Sequence, residues 1–244
     1  MKHKYIKEQF QNIDIELSEE QIEQFITYYE MLVERNKVVN LTAITEFEDV
    51  VIKHFVDSVL AYKNEIIGKK LKEPTVSVID IGTGAGFPGI PLKIVFPNIK
   101  LTLLDSLNKR IIFLQDVIQA LKLEHVECIH GRAEDFGMNP KYREKYDIVV
   151  SRAVSNLSTL SEYCVPFIKI NGLFVSYKSM SAEEEIKQAA NALKILNCEL
   201  NQVSDFELSS KDEDYVRKFV IISKKGKLNK KYPRKAGMPS RNPL

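Results

Sequence analysis

The chain has 244 residues, 44% apolar and 28% charged, with 35 bases against 33 acids, a size and balance ordinary for a soluble globular protein with a sizeable core. No apolar run approaches the ~20 residues of a membrane span, and Met1–Tyr5 lacks the apolar stretch of a signal peptide. Cys128, Cys164 and Cys198 lie far apart with no CxxC, which argues against a disulfide framework or zinc site and for a cytoplasmic protein. The near-neutral total hides an asymmetry. Eight bases and no acid lie between Lys224 and Leu244, which leaves 27 bases against 33 acids in the body. A basic tail on an acidic body points to a polyanion met at one place.

In chain order, residues 1–73 read as a helical extension. Ser18 and Gln21 form an S-x-x-Q capping box, and Ile22, Phe25, Ile26, Tyr29, Leu32 and Val33 recur at helical spacing. Asn40–Thr45 breaks that pattern, with Thr45 placed to cap the next helix. That helix carries His54, Asp57 and Ser58 within about one turn of each other. Lys69–Pro74 reads as a polar connector.

From Thr75 the pattern changes to short β-branched runs alternating with helices. The expected strands are Val76–Ile81, Leu101–Leu104, Val126–His130, Tyr146–Val150 and Leu173–Tyr177. Between them lie a helix over Ile90–Phe96, one capped by Ser106 and running to Leu121, one over Leu160–Ile168, and one opened by a Ser181/Glu184 capping box and running through Leu196. The alternation predicts a parallel sheet with helices on both faces. Cys198–Phe206 and Tyr215–Ser223 have no helix between them and should pair antiparallel. The proline-bearing tail is expected to be extended, or ordered only by docking. The domain reading is thus a helical extension (1–73), a sheet domain (74–224) and a basic tail (225–244).

The stretch Val78-Ile79-Asp80-Ile81-Gly82-Thr83-Gly84-Ala85-Gly86-Phe87-Pro88-Gly89 reads as a strand, a tight glycine turn and a helix start. In a doubly wound sheet, ligands sit at the carboxyl ends of the strands. Topology alone therefore brings together Asp80 and its glycines, Asp105, Ala133-Glu134, Ser151-Arg152 and Lys178. Asp105, ending the second strand, suits the hydroxyls of a ribose. A dinucleotide would need G-x-G-x-x-G and a helix N-terminus for its pyrophosphate. Here the spacing is G-x-G-x-G with Asp80 two residues earlier, and a carboxylate there suits a cation. S-adenosylmethionine has an adenosine, an ammonium and a sulfonium, and no phosphate. D-x-G-x-G-x-G resembles motif I of the class I methyltransferases, whose Rossmann-like seven-stranded sheet ends in a similar antiparallel hairpin.

The acceptor is read from other residues. The N/D-P-P-Y/F motif of amino-group methyltransferases is replaced by Ser151-Arg152-Ala153-Val154, and Cys164 lies mid-helix rather than where a cytosine C5 nucleophile is needed. Arg152 and Lys178 at the mouth suit a phosphodiester.

Taken together, Asn40-Leu41-Thr42, His54-Phe55-x-Asp57-Ser58, the Asp80–Pro91 stretch, Asp105-Ser106-x-x-Lys109-Arg110-x-x-Phe113-Leu114, Gly131-Arg132-Ala133-Glu134, Ser151-Arg152-Ala153 and Lys231-Tyr232-Pro233-Arg234-Lys235 resemble the ribosomal RNA small subunit methyltransferase G family. The older name of that family is glucose-inhibited division protein B. The resemblance runs from about Asn40 to Leu244; residues 1–39 match only as a helical extension. It implies methyl transfer from S-adenosylmethionine to N7 of a guanine in bacterial 16S ribosomal RNA. The resemblance implies cofactor contacts at Gly82, Phe87, Asp105, Ala133, Glu134 and Arg152, and Asp80, Gly84, Gly86 and Ser106 are expected to join them. The implied RNA contacts are Lys109, Arg110, Arg152, Lys178, Lys230, Lys231, Arg234 and Lys235, with 16S RNA or the small ribosomal subunit as partner. Guanine N7 carries a free lone pair at neutral pH, so no general base is expected; Arg152, His54 and Asp57 are candidates for positioning. No metal, no membrane and a monomer are expected. Whether Arg152 meets cofactor or RNA stays open. Two other readings stay open as well: a ribosomal RNA-binding assembly factor without turnover, and an NAD(P)-dependent oxidoreductase, which the glycine spacing disfavours.

Overall fold

A computed structural model describes residues 1–152, 155–179, 182–210 and 214–244. Seven strands form one sheet in the order β3-β2-β1-β4-β5-β7-β6. They are β1 (Val76–Ile81), β2 (Ile99–Asp105), β3 (Val126–His130), β4 (Tyr146–Arg152), β5 (Ile168–Lys178), β6 (Cys198–Ser209) and β7 (Asp214–Lys224). The first five run parallel, and β7 inserts antiparallel between β5 and β6. This is the seven-stranded α/β sheet expected from the sequence, including its terminal antiparallel hairpin. The order reverses where β1 lies between β2 and β4, the place at which such sheets bind ligands.

Period-2 alternation divides the core. Val76 and Val78 of β1 enter one apolar layer, and Ile79 and Ile81 enter the other. The first layer holds the N-terminal helices Lys2–Gln11 and Glu19–Asn36 with Gly89–Val95 and Asn108–Ala120. The second holds Leu157–Cys164 and Ala182–Ile195. The helical extension therefore shares its core with the sheet. Both bonds of the Ser18/Gln21 capping box are made, at 3.2 and 2.9 Å. The same Gln21 donates to the Ile94 carbonyl at 2.7 Å, tying this helix to the one after the glycine turn. None of the described helices is long and apolar enough to cross a membrane.

Several local expectations need correction. Ser106 does not cap the helix Asn108–Ala120, and Thr45 does not cap Phe47–Val50. The Asp105 carboxylate accepts from Leu107 N instead (2.9 Å), a stronger acceptor than a serine hydroxyl. Lys69–Leu71 is the end of a helix, Glu65–Leu71, opened by Asn64 accepting from Ile66 N and Ile67 N. The helix expected over Leu160–Ile168 runs Leu157–Cys164 from an Asn156 cap, and a single tight turn at Val165–Phe167 carrying Pro166 leads into β5. The Ser181 cap lies outside the described residues, as does Ala153-Val154.

The tail is docked. Leu228 and Tyr232 are buried in the second apolar layer, and the Arg234 guanidinium grips the fully buried Glu162 carboxylate at 2.6–3.1 Å.

Candidate functional site

The glycine turn is built from below. Gly82, Gly84 and Gly86 have φ of 70°, 63° and 105°, a region costly for residues with a Cβ. A Cβ on Gly86 would meet the Tyr28 hydroxyl at 2.6 Å, whereas one on Gly84 would meet nothing within 4 Å. One glycine is thus needed for packing, and the next faces open space. Tyr28, fully buried, donates to the Ala85 carbonyl at 2.5 Å and fixes the turn from the helical extension.

Asp80 lies beneath this turn, 0% exposed. Its Oδ2 accepts from Thr83 Oγ1 (2.7 Å) and Gly89 N (2.9 Å), while its Oδ1 is buried with no hydrogen-bond partner among the described residues. Burial pushes its carboxyl up to about 7, against the Thr83 and Gly89 bonds that favour the charged form. The sequence reading put Asp80 in company with a ligand cation; the geometry makes it first a brace of the turn.

A cleft of about 430 Å³ opens at the carboxyl ends of β1, β2 and β3. Among its lining residues are Gly82, Asp105, Ser106, Ala133, Glu134 and Gly237. Asp105 accepts from Leu107 N, from Gly84 N (2.9 Å) and from Arg110 Nη1 (3.2 Å). A carboxylate has about four acceptor positions, so Asp105 keeps room for one further donor. Glu134 accepts from Gly237 N at 2.9 Å. The charged lining is Asp105 and Glu134 against Arg132. Two carboxylates, apolar Leu104 and Ala133, and an open glycine suit a hydroxyl-bearing, cationic nucleoside and not a pyrophosphate.

A second cluster stands at the end of β4 and the start of β7. Asp57, 0% exposed, receives Arg152 Nη1 on Oδ2 at 2.7 Å and Arg217 on both oxygens at 2.5 and 3.1 Å. Arg152 also donates to the Lys53 carbonyl at 3.1 Å and lies 5.1 Å from the centre of the Phe87 ring. His54 stacks on the same ring at 4.6 Å and meets Thr42 Oγ1 at 2.8 Å. Burial, and next the Arg152 charge, lower the His54 imidazole to about 3, so it is neutral at physiological pH. Ser151 Oγ donates to the Ile81 carbonyl at 2.7 Å, locking β4 to the end of β1. The wide π-type turns over Val51–Val56 place Lys53 O, His54 and Asp57 along one side, a helical irregularity often found at functional sites.

The expected basic residues divide in two. Arg110, Arg152, Lys178 and Arg234 already hold carboxylates: Asp105, Asp57, Glu185 (2.6 Å) and Glu162. Lys109, Lys230, Lys231 and Lys235 are exposed. Sequence reasoning missed Arg217, Tyr28, Tyr163 and Gly237. Arg217 carried a faint signal, a charge inside a strand-like run; the Gly237 main-chain donor carried none.

Comparison with known proteins places the chain. Residues 21–213 match the family model described as rRNA small subunit methyltransferase G. The chain is 49% identical to the ribosomal RNA small subunit methyltransferase G of Leuconostoc mesenteroides over 94% of each chain. It is 47% identical to that of Clostridium novyi, over 96% of this chain and 93% of the relative. Among solved structures, a SAM-dependent O-methyltransferase from Thermotoga maritima superposes with a TM-score of 0.52 at 15% identity, covering 81% of this chain and 72% of that one. M. jannaschii TYW2 in complex with AdoMet superposes at 0.51 and 14%, covering 69% and 76%. At such identities the structures bear on the fold alone.

Proposed function

The chain belongs to the ribosomal RNA small subunit methyltransferase G family, and from that premise we propose how its residues carry out S-adenosylmethionine-dependent methylation of guanine N7 in bacterial 16S ribosomal RNA. The observation that carries the reading is the pairing of two sites on one sheet edge. One is an acid-and-glycine cleft at β1–β3, and the other is an arginine cluster at the end of β4 and the start of β7.

Gly82, Gly84, Asp105, Ala133 and Glu134 would hold the nucleoside half of the cofactor, with Asp105 taking a ribose hydroxyl in its remaining acceptor position. Gly86 and Asp80 shape the turn, and Phe87 forms the floor shared by His54 and Arg152. Ser106, exposed at the cleft edge, would contact the nucleoside from the side. When bound, S-adenosylmethionine supplies an electrophilic methyl group on a sulfonium.

Guanine N7 has a lone pair at neutral pH, so no residue has to remove a proton before attack. Positioning then provides most of the acceleration. His54, held on Phe87, fits this role: its lowered basicity makes it a poor proton acceptor, and its neutral ring adds no positive charge to the site. Asp57 acts through Arg152 by fixing its guanidinium over Phe87. Lys109 and the tail lysines would meet phosphates, giving salt-dependent affinity without sequence choice. Because A-form RNA keeps the N7 groove narrow, the target is a loop or an exposed base. We further propose that the enzyme works as a cytoplasmic monomer without a metal.

The test is incorporation of labelled methyl from S-adenosylmethionine into naked 16S RNA, precursor RNA and assembled small subunits. Incorporation into one of the three is expected. Equal labelling of protein or small molecules, with none in RNA, overturns the acceptor.

A further inference from the structure

The cleft has one wall that belongs to neither the glycine turn nor the strand ends. Gly237 and Tyr163 line it, and Gly237 N holds the Glu134 carboxylate at 2.9 Å. Gly237 sits in a C-terminal segment anchored along its length. Arg143 donates to the Tyr232 carbonyl at 2.7 Å, Arg234 grips Glu162, and Thr159 Oγ1 donates to the Pro239 carbonyl at 3.1 Å. Beside these anchors Lys230, Lys231 and Lys235 lie exposed around a second hollow of about 420 Å³. Glu134 lines both the cleft and this hollow.

We propose that the C-terminal segment is a wall of the cofactor cleft and couples it to RNA: a phosphate chain seated on Lys230, Lys231 and Lys235 tightens S-adenosylmethionine binding, and the cofactor tightens RNA. This rests on the function proposed above. One stretch of main chain carries both contacts. Phosphates drawn to the three lysines hold the stretch in its docked position, where Gly237 N fixes Glu134. A segment serving RNA alone would have no reason to line the nucleoside cleft. By linkage the effect is reciprocal.

The test uses the full chain and sinefungin, a cationic analogue that cannot donate a methyl, so that turnover does not blur the reading. Its dissociation constant is measured by calorimetry with and without saturating 16S RNA. RNA should tighten sinefungin by about fivefold or more, the lower end of ordinary coupling. Lys230→Gln/Lys231→Gln/Lys235→Gln should bind sinefungin as tightly as wild type without RNA but lose the tightening. Arg234→Gln should weaken sinefungin in the absence of RNA with the circular dichroism spectrum retained. If Arg234→Gln does not fold, Gly237→Ala replaces it, since a Cβ there meets open space but strains a φ of 81° and shifts the donor. Equal wild-type affinity with and without RNA overturns the coupling. Unchanged affinity in the folded Arg234→Gln or Gly237→Ala protein overturns the wall. Failure of every form to bind sinefungin refutes the proposed function instead, and is distinct from both.

Discussion

Asp57→Asn is the most informative single change. The carboxylate is fully buried between Arg152 and Arg217, whose side chains are only 11% and 19% exposed. Three of its contacts lie between 2.5 and 3.1 Å. The amide keeps the volume but removes the negative charge and turns one acceptor into a donor facing a guanidinium. Two nearly dry cations then face each other with no counter-charge. Breaking a buried pair in this way costs about 3–5 kcal/mol. For a chain of this size each kcal/mol lowers Tm by roughly 2–4 °C, so a fall of roughly 6–20 °C is expected. Arg152 also loses its anchor over Phe87, and a displacement of about 1 Å in a positioning group costs on the order of 100-fold in rate. Melting curves and single-turnover methyl transfer, the latter at a temperature where both proteins are folded, measure the two effects separately. A folded Asp57→Asn protein that transfers methyl at the wild-type rate would refute the reasoning, because Arg152 would then be held without Asp57.

Asp105→Ala removes the acceptor for Gly84 N, Leu107 N and Arg110. Hydrogen bonds to a charged group are worth about 1.5–3 kcal/mol, so S-adenosylmethionine affinity should fall roughly 10- to 150-fold by calorimetry; unchanged affinity would leave Asp105 a helix brace alone. Tyr28→Phe strands the buried Ala85 carbonyl, and chemical denaturation should show a loss of about 1–3 kcal/mol, with weaker cofactor binding through a looser turn. For Asp80, burial raises the carboxyl to about 7 from an ordinary 3.8. Between those values the folded state binds the extra proton, so this group's contribution to stability is full below about pH 4 and is lost as pH rises through about 7. Asp80→Asn should remove that loss. Stability profiles of the two proteins that stay parallel from pH 4 to 8 would show the group does not titrate there.

The sheet was readable because its strands are short β-branched runs bounded by turn residues, and because covered parallel strands need apolar side chains on both faces. Helix ends were less readable. Ser106 and Thr45 have the right chemistry for caps, but Asp105 one residue earlier takes the Leu107 amide from Ser106. The cluster around Asp57 was half visible. His54, Asp57 and Ser58 share a helical turn, while Arg217 reaches Asp57 from 160 residues away, a pairing no local pattern records. The wall at Gly237 rests on a main-chain donor, which has no side-chain signature at all.

What happens to the RNA is the most direct test. Naked 16S RNA, precursor RNA and small subunits, each lacking the modification, would be incubated with the protein and S-adenosylmethionine and digested, and their nucleosides resolved by mass spectrometry. 7-Methylguanosine is expected from at least one form of 16S RNA, strongly reduced with Asp105→Ala and with Asp57→Asn. Methyl label recovered in another nucleoside, or in no nucleoside while the protein binds S-adenosylmethionine normally, would contradict the proposed function.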